Sequence, residues 1–312
     1  MSAAPEISIV IPVYNEVGNI QPLYSALVDV LGSPDRSFEI IFVDDGSSDG
    51  TFEMIASIHT RDQRVRGFSL SRNFGHQTAL FAGLKESRGD VVITMDGDMQ
   101  HPPHVIPDML EEYEHGYSIV NTRRIDSKRT GFFKKLTSRW YYKLINALSD
   151  VQIEPASADF RLMTREAVEA MLSMPERKRF TRGLVSWMGF HQSIIDYEVG
   201  ERLEGKSKFT LFKMLRFGLD GVTSFSVKPL RIAFYIGTMI SVLSILYGLY
   251  AIVIFLLGHA VPGWTSLLVS ILFIGGAILL SLGVVGEYVA RIYNEVKRRP
   301  MYFIKDSTDQ LN

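Results

Sequence analysis

The sequence contains no cysteine among its 312 residues, which excludes disulfide bonds, thiolate catalysis and cysteine-ligated zinc. No charge predominates either: 33 Lys and Arg stand against 34 Asp and Glu, which argues against a protein that binds nucleic acid through bulk charge. The N-terminal residues lack the basic stretch and long apolar run of a secretory signal peptide. With 46% hydrophobic and 21% charged residues, the chain is expected to fold.

Common phosphate-binding motifs are absent as well. The sequence has neither the G-x-x-x-x-G-K-[ST] loop nor the G-x-G-x-x-G fingerprint, and it has no H-E-x-x-H zinc motif. A ligand that carries phosphate groups would therefore need a metal ion, rather than a glycine-rich loop, to hold it.

Charged residues become scarce after Arg231. Residues 232–258 and 264–286 form two runs of 27 and 23 residues without Asp, Glu, Lys or Arg. About 20 apolar residues cross a bilayer as a helix, so both runs are predicted to span a membrane, with a pair of buried core helices as the alternative. The connector is too short to be a domain, so the two helices are expected to form a hairpin.

Basic residues indicate the orientation of this hairpin. They flank its outer ends at Lys228 and Arg231 before the first run and at Arg291 and residues 297–299 after the second, whereas the connector has none. By the positive-inside rule, both ends of the chain are expected to lie in the cytoplasm.

The segment before the first run carries a local positive charge. Residues 201–231 hold seven Lys or Arg against three Asp or Glu, and residues 208–221 separate charged and apolar side chains onto two helical faces. This composition predicts a helix lying in an anionic membrane interface. An amphipathic helix packed on the soluble domain is the alternative.

Strand and helix patterns alternate before the charged segment. Near-continuous apolar runs predict buried strands at 7–14, 38–45, 65–70, 90–96 and 118–122. Helical periods lie between them at roughly 18–31, 49–60, 76–87 and 104–115. The alternation predicts an α/β fold with a mostly parallel sheet flanked by helices.

Polar motifs follow the first, second and fourth strands: Y-N-E, D-D-G-S and D-G-D-M-Q. Ligands of parallel sheets bind beyond the carboxyl ends of the strands. The oxygens of Asp96, Asp98 and Gln100 suit Mg²⁺ or Mn²⁺ shared with a diphosphate, whereas capping of the following helix is the alternative. Gly97 is expected to permit a sharp turn between the two carboxylates.

Taken together, these motifs resemble family 2 inverting glycosyltransferases. The matching stretches are IPVYNE (11–16), VDDGSSDGT (43–51), SRNFGHQTAL (71–80), DGDMQHPP (96–103), ADFRLM (158–163), GERLEGKSKF (200–209) and GEYVARIYNEVKRRP (286–300). Within the family they are similar to the dolichyl-phosphate-mannose-synthase-like polyprenyl-phosphate glycosyltransferases, and the two apolar runs resemble the GtrB-type bacterial branch, which glucosylates undecaprenyl phosphate. The Q-x-x-R-W motif of processive polysaccharide synthases is absent, which argues against polymer synthesis.

The resemblance implies a GT-A, Rossmann-like fold and roles for individual residues. It implies nucleotide-sugar contacts by Pro12, Tyr14, Glu16, Asp44, Asp96, Arg202, Ser207 and Lys208. It implies a divalent metal, Mg²⁺ or Mn²⁺, held by Asp98, Gln100 and Asp96. It implies an acceptor phosphate bound by Arg123 and Arg124, for which a solvated basic loop is the alternative. The catalytic candidates are Asp98 and Asp159, the latter an acceptor-side carboxylate whose role as a base stays open.

The resemblance also implies the division of the chain. The expected parts are a cytoplasmic catalytic domain (1–205), amphipathic interface helices (206–230), a two-helix transmembrane hairpin (231–290) and a cytoplasmic tail (291–312). The expected activity is metal-dependent, inverting transfer of glucose from UDP-glucose to undecaprenyl phosphate at the inner membrane. The expected enzyme is a homo-oligomer and binds no nucleic acid.

The sequence leaves alternatives to this activity open. Within enzymes, GDP-mannose, UDP-GlcNAc or UDP-aminoarabinose could replace UDP-glucose. A non-catalytic, membrane-anchored nucleotide-binding protein and a channel are the alternatives from other classes. The absence of charge within the two apolar runs argues against the channel.

Overall fold

The computed structural model describes residues 5–32, 36–125, 157–176, 181–198, 226–257 and 263–310. The chain divides into two compact units, an α/β unit and a unit with two long C-terminal helices. Nearly all of the expected interface segment lies outside the described residues.

Eight strands form one sheet among the described residues. Their bounds are β1 (Ile7–Val13), β2 (Phe38–Asp44), β3 (Val65–Leu70), β4 (Val91–Thr94), β5 (Ile119–Ile125), β6 (Ser157–Thr164), β7 (Gln192–Glu198) and β8 (Ile304–Ser307). The order across the sheet is β7-β5-β6-β4-β1-β2-β3-β8. Strands β1–β4 run parallel to their neighbours within that group, as do β5 and β7, whereas β6 and β8 are antiparallel to theirs. The predicted α/β fold with a mostly parallel sheet is confirmed.

Six shorter helices belong to this unit in the described part of the chain: α1 (Val17–Leu31), α2 (Thr51–Arg61), α3 (His76–Glu86), α4 (Ile106–Glu114), α5 (Arg165–Ser173) and α6 (Thr181–Trp187). The buried apolar residues of α1 belong to the same hydrophobic core as the β1 side chains Ile7 and Ile9. The other face of β1 meets α3, where Gly83 lies so close to Val10 that a Cβ would be 2.3 Å from Val10 Cγ1. Strands β1 and β2 are buried at every residue, as their uninterrupted apolar runs predict for strands covered on both faces.

The C-terminal residues complete the sheet at its β3 edge. Strand β8 pairs with β3, and Gly67 N–H donates a hydrogen bond to Thr308 Oγ1 at 2.9 Å. Arg66 Nη2 donates to Asp309 Oδ2 at 2.7 Å, and Arg66 Nη1 donates to Glu39 Oε2 at 3.2 Å. Both Arg66 and Glu39 are buried, so the end of the chain is held by an ion-pair network beneath the sheet surface.

The two long helices are α7 (Lys228–Leu256) and α8 (Trp264–Val296). Residues 230–254 and 269–296 within them are long and apolar enough to cross a membrane. Their apolar side chains are largely exposed, so these helices are not core helices of the α/β unit. The two predicted apolar runs are therefore confirmed as candidate membrane spans.

Candidate active site

The polar motifs of β1, β2 and β4 meet at one edge of the sheet. The strands are parallel neighbours, so their carboxyl ends lie side by side. This edge is where ligands of open α/β sheets bind.

The first two motifs form one hydrogen-bonded loop pair. Asn15 N–H donates to Ser47 Oγ at 2.8 Å, and Asn15 Oδ1 accepts from Ser48 N–H at 3.0 Å. Asp44 accepts from Ser47 N–H at 3.0 Å and from Ser69 Oγ at 2.9 Å. Asp44 is only 1% exposed, so its buried carboxylate stabilises the conformation of this loop.

Two other expected nucleotide contacts differ in exposure. Pro12 is buried within β1 opposite Val43, whereas Tyr14 is 47% exposed just beyond the strand. The Tyr14 ring is therefore accessible to a ligand, whereas Pro12 is not. Arg202, Ser207 and Lys208, the remaining candidates from the basic segment, lie outside the described residues.

Asp45 was not among the predicted site residues, yet it anchors α3 at the site. Its carboxylate accepts hydrogen bonds from Phe74 N–H at 2.7 Å and Gly75 N–H at 2.9 Å, just before the helix begins. Burial raises the pKa of Asp45, although these two bonds oppose the shift. The only sequence signal is the doubled Asp of D-D-G-S, which does not reveal its partner about 30 residues away in the chain.

The D-x-D loop follows β4 directly. A Cβ on Gly97 would lie 2.6 Å from Val13 Cγ1 at the end of β1. The left-handed backbone conformation falls instead on Met99, whose φ is 61°. Gly97 itself lies in a turn of the chain, as expected. The close approach of Val13 is a second reason why glycine is required at this position.

The second carboxylate of this motif faces the side chain of Gln100. Asp98 Oδ1 accepts from Gln100 N–H at 3.2 Å, and the Gln100 side-chain amide donates to Asp98 Oδ2. In the described chain, no side chain caps α4, whose N-cap residue is Val105. The alternative of a helix-capping D-x-D motif is therefore not supported.

Two histidines contact the first aspartate of the motif, one at its carboxylate and one at its backbone N–H. Asp96 Oδ1 lies 2.8 Å from His76 Nε2, and Asp96 N–H donates to His101 Nδ1 at 2.9 Å. Burial lowers the pKa of His101, whose ring stacks on Phe160 with centroids 5.1 Å apart. Because His101 Nδ1 accepts a hydrogen bond, its ring is the neutral tautomer that carries the proton on Nε2.

Asp159 lies on β6, beside β4. Its backbone carbonyl accepts from Thr94 Oγ1 at 2.6 Å, and its Oδ2 accepts from Gln77 Nε2 at 3.0 Å. Its Oδ1 is 3.4 Å from Arg161 Nη2 and 3.9 Å from Arg182 Nε. Burial lowers the pKa of Arg161 to about 10, so its guanidinium stays protonated at neutral pH.

The paired arginines at the end of β5 point in opposite directions, as successive residues of a strand do. Arg124 Nη1 donates to Gln100 Oε1 at 3.4 Å and thus lies at the D-x-D loop. Arg123 makes a bidentate ion pair with Asp196 on β7, at 2.7 Å and 2.9 Å. The structure therefore brings Arg124, but not Arg123, to the predicted metal ligands.

The donor set suits a metal ion shared with a substrate. No three His, Asp or Glu side chains converge on a metal position within the described ranges. Mg²⁺ bound to a nucleotide commonly uses only one or two protein carboxylates plus phosphate oxygens. Asp98 fits that pattern as the single carboxylate, whereas Asp96 is already bonded to His76. The Gln100 carbonyl would join Asp98 only if the amide turned over and gave up its bond from Arg124.

Comparison with known proteins places these residues in context. Residues 8–172 match the model of the family described as glycosyl transferase family 2, and residues 228–292 match the GtrB C-terminal hairpin. The chain is 44% identical to the SfII prophage-derived bactoprenol glucosyl transferase of Shigella flexneri, over 97% of this chain and 98% of that protein. It is 41% identical to an uncharacterized glycosyltransferase of Synechocystis, over 96% of this chain and 95% of that protein.

A solved structure is also similar to this chain. The mannosyltransferase PcManGT of Pyrobaculum calidifontis, in complex with GDP-Man and Mn²⁺, is 14% identical and has a TM-score of 0.49. The similarity covers 72% of this chain and 64% of that chain.

Proposed function

Because this chain belongs to glycosyl transferase family 2, we propose that it transfers glucose from UDP-glucose to a polyprenyl phosphate, with inversion at the anomeric carbon. The observation that carries the proposal is the near-full-length similarity to bactoprenol glucosyl transferases. That similarity extends through the catalytic motifs and the C-terminal hairpin alike.

The phosphate acceptor does not require a strong general base. A phosphate monoester has a second pKa of about 6, so the acceptor oxygen is already anionic near pH 7. The enzyme then needs to position the phosphate rather than deprotonate it. Arg124 is the proposed partner, because its guanidinium lies at the D-x-D loop and a guanidinium binds phosphate through two parallel donors.

The leaving group, in contrast, requires stabilisation by positive charge. Departure of the nucleoside diphosphate develops negative charge that must be neutralised. A divalent ion held by Asp98 and Gln100 would supply that neutralisation when bound. Arg202 and Lys208 are proposed as further diphosphate contacts, and Tyr14 and Asp44 as parts of the nucleotide site.

Asp159 is proposed as the acceptor-side carboxylate. Its Oδ1 faces the guanidinium groups of Arg161 and Arg182, at 3.4 Å and 3.9 Å, and its Oδ2 accepts a hydrogen bond from Gln77. Its proposed role is therefore to fix the geometry of the cations and the sugar. This assignment agrees with an acceptor that arrives already ionised.

The proposed location is the cytoplasmic face of a membrane, with α7 and α8 as a hairpin anchor. The polyprenyl tail stays in the bilayer, so the catalytic site must work at its surface. The sheet also supports this topology, independently of the charge pattern. Strand β3 precedes α7 and β8 follows α8, yet the two strands pair, so the chain must cross the membrane an even number of times between them. A homo-oligomer is retained as part of the proposal.

The direct test is a transfer assay with purified full-length protein and undecaprenyl phosphate. Radiolabelled UDP-glucose, GDP-mannose, UDP-GlcNAc and UDP-aminoarabinose are supplied one at a time, and label is counted in the lipid fraction. We expect label from UDP-glucose. Label only from another donor would contradict the sugar assignment, and no label from any donor would contradict catalysis.

The two arginines of β5 give a matched pair of variants. Arg124→Ala is expected to raise the apparent KM for undecaprenyl phosphate about 10- to 100-fold, the loss of one charge-assisted bond. Slow hydrolysis of UDP-glucose by water, which involves no lipid, should be spared. Arg123→Ala breaks the ion pair with Asp196 and is expected to change either rate far less. Equal losses in the two variants, or damage to hydrolysis by Arg124→Ala, would contradict this assignment.

Membrane orientation is tested with reporter fusions. A reporter after Asn312 is expected on the cytoplasmic side, and one inserted at residues 260–263 is expected on the opposite side, because basic residues flank only the outer ends of the hairpin. Activity of reporters that work only inside or only outside the cytoplasm gives the readout. Reporters on the same side at both positions would refute the hairpin.

A further inference from the structure

Asp159 is held by a chain of side chains that ends at a helix far from it in sequence. Gln77 lies in the first turn of α3, and its side-chain N–H donates to Asp159 Oδ2 at 3.0 Å. Its Oε1 accepts a hydrogen bond from the hydroxyl of Thr181, the first residue of α6. Thr181 is buried, with 2% of its surface exposed.

The Asp159 carboxylate sets which way the Gln77 amide faces, and the Thr181 hydroxyl holds the amide in that position. A glutamine side chain has one accepting end and one donating end of nearly equal shape. The donating end faces Asp159 Oδ2, an oxygen that accepts, and the Thr181 hydroxyl donates to the accepting end. If the amide turned over, its carbonyl would face another acceptor and the bond to Asp159 would be lost.

This arrangement also separates the two oxygens of the carboxylate. Oδ2 receives the neutral amide of Gln77, whereas Oδ1 lies toward the cations Arg161 and Arg182. Arg182 follows Thr181 directly, so the bond that holds the Gln77 amide also anchors the helical turn that carries Arg182. Rotation of the Asp159 carboxylate would disturb both sides at once.

We infer that Gln77 and Thr181 are positioning residues that hold the Asp159 carboxylate in the orientation required for transfer to the acceptor phosphate. The inference rests on the proposed function and deepens it at the same site. It assigns roles to two residues that lie outside the predicted site. Neither residue needs to touch a substrate.

The test uses two substitutions at one position in the full-length protein. Thr181→Val keeps the shape of the side chain and removes the hydroxyl, whereas Thr181→Ser keeps the hydroxyl. With UDP-glucose and undecaprenyl phosphate, Thr181→Val is expected to lower kcat about 5- to 10-fold and to leave the KM for UDP-glucose unchanged. Thr181→Ser is expected to restore kcat to within about twofold of the unmodified protein, since the hydroxyl is present again.

A second variant tests whether the two residues act through one path. Gln77→Leu removes the bond to Asp159 itself and is expected to lower kcat about 10- to 100-fold. Adding Thr181→Val to Gln77→Leu should then cost less than another twofold, because the hydroxyl has no amide left to hold.

Several outcomes would overturn the inference. They are equal activity of Thr181→Val and the unmodified protein, failure of Thr181→Ser to restore activity, multiplicative losses in the double variant, or a lower melting temperature without a change in kcat. Failure of the proposed function is distinguishable, because it appears as absence of transfer by the unmodified protein. That result would also remove the acceptor-side role of the pair.

Discussion

Asp98→Ala is expected to lower glucosyl transfer by on the order of 100- to 1000-fold, the largest loss of any single substitution considered. The reason is the concentration of charge at this point of the sheet edge. Asp98 accepts from Gln100. Burial raises the pKa of the Glu16 carboxyl against the opposing Asn19 hydrogen bond, and the nearby charge of Asp98 adds to the rise. A cation is therefore favoured here, and Asp98 is the carboxylate of this loop that lies beside the Gln100 amide, whereas Asp96 is bonded to His76.

The measurement is transfer rate against added Mg²⁺ or Mn²⁺, after removal of metal with EDTA. The unmodified protein should be inactive in excess EDTA and recover with either metal, whereas Asp98→Ala should not recover at any concentration tested. Asp29→Ala, an exposed carboxylate on α1, is the matched control and should behave like the unmodified protein. Full turnover in excess EDTA would rule out the metal assignment.

Arg66→Met is expected to lower the free energy of unfolding by about 3–5 kcal/mol. That loss is a large part of the total free energy of unfolding of a typical domain. Arg66 is 6% exposed and its partner Glu39 is 4% exposed. Removing the guanidinium leaves Glu39 as a buried charge that keeps only the hydroxyl of Ser8 and the backbone N–H of Arg88 as donors among its described contacts. It also releases Asp309 from its bidentate contact.

Arg64→Met provides the control, since it is the same change two residues earlier. Arg64 pairs with Asp62 at 2.8 Å, but 47% of the Arg64 side chain is exposed, and exposed ion pairs contribute about 0–1 kcal/mol. The unfolding midpoints of the two variants in detergent, followed by circular dichroism, give the comparison. Similar losses in both variants would contradict a special role for the buried network.

Much of the sheet could be predicted because the sequences of its central strands are sufficient to identify them as buried strands. Strands β1 and β2 are buried at every position, so their apolar runs are unbroken. The edge strand β8 has the sequence I-K-D-S, whose first three residues are exposed, so no apolar pattern marks it. This strand forms because it pairs with β3, which lies more than 200 residues earlier in the chain. A local sequence pattern does not indicate a partner at that distance.

The candidate site divides in the same way. The carboxylates of the D-x-D loop could be placed because they follow a buried strand directly, and strand ends of a parallel sheet converge. Gln77 and Thr181 could not, because their roles depend on the side-chain contacts that bring α3 and α6 together at β6. Arg123 and Arg124 are adjacent in sequence, and strand alternation separates them onto opposite faces.

The position of β8 also determines when the fold can be finished during synthesis. A ribosome must add 234 residues between Leu70, at the end of β3, and Ile304, at the start of β8. At about 5–20 residues per second this takes roughly 12–47 s. Throughout that interval the nascent chain has an uncovered strand edge at β3, the kind of edge that recruits other chains. Both apolar helices precede Asp309 in the chain, so they are synthesised before the contact between Asp309 and Arg66 can form.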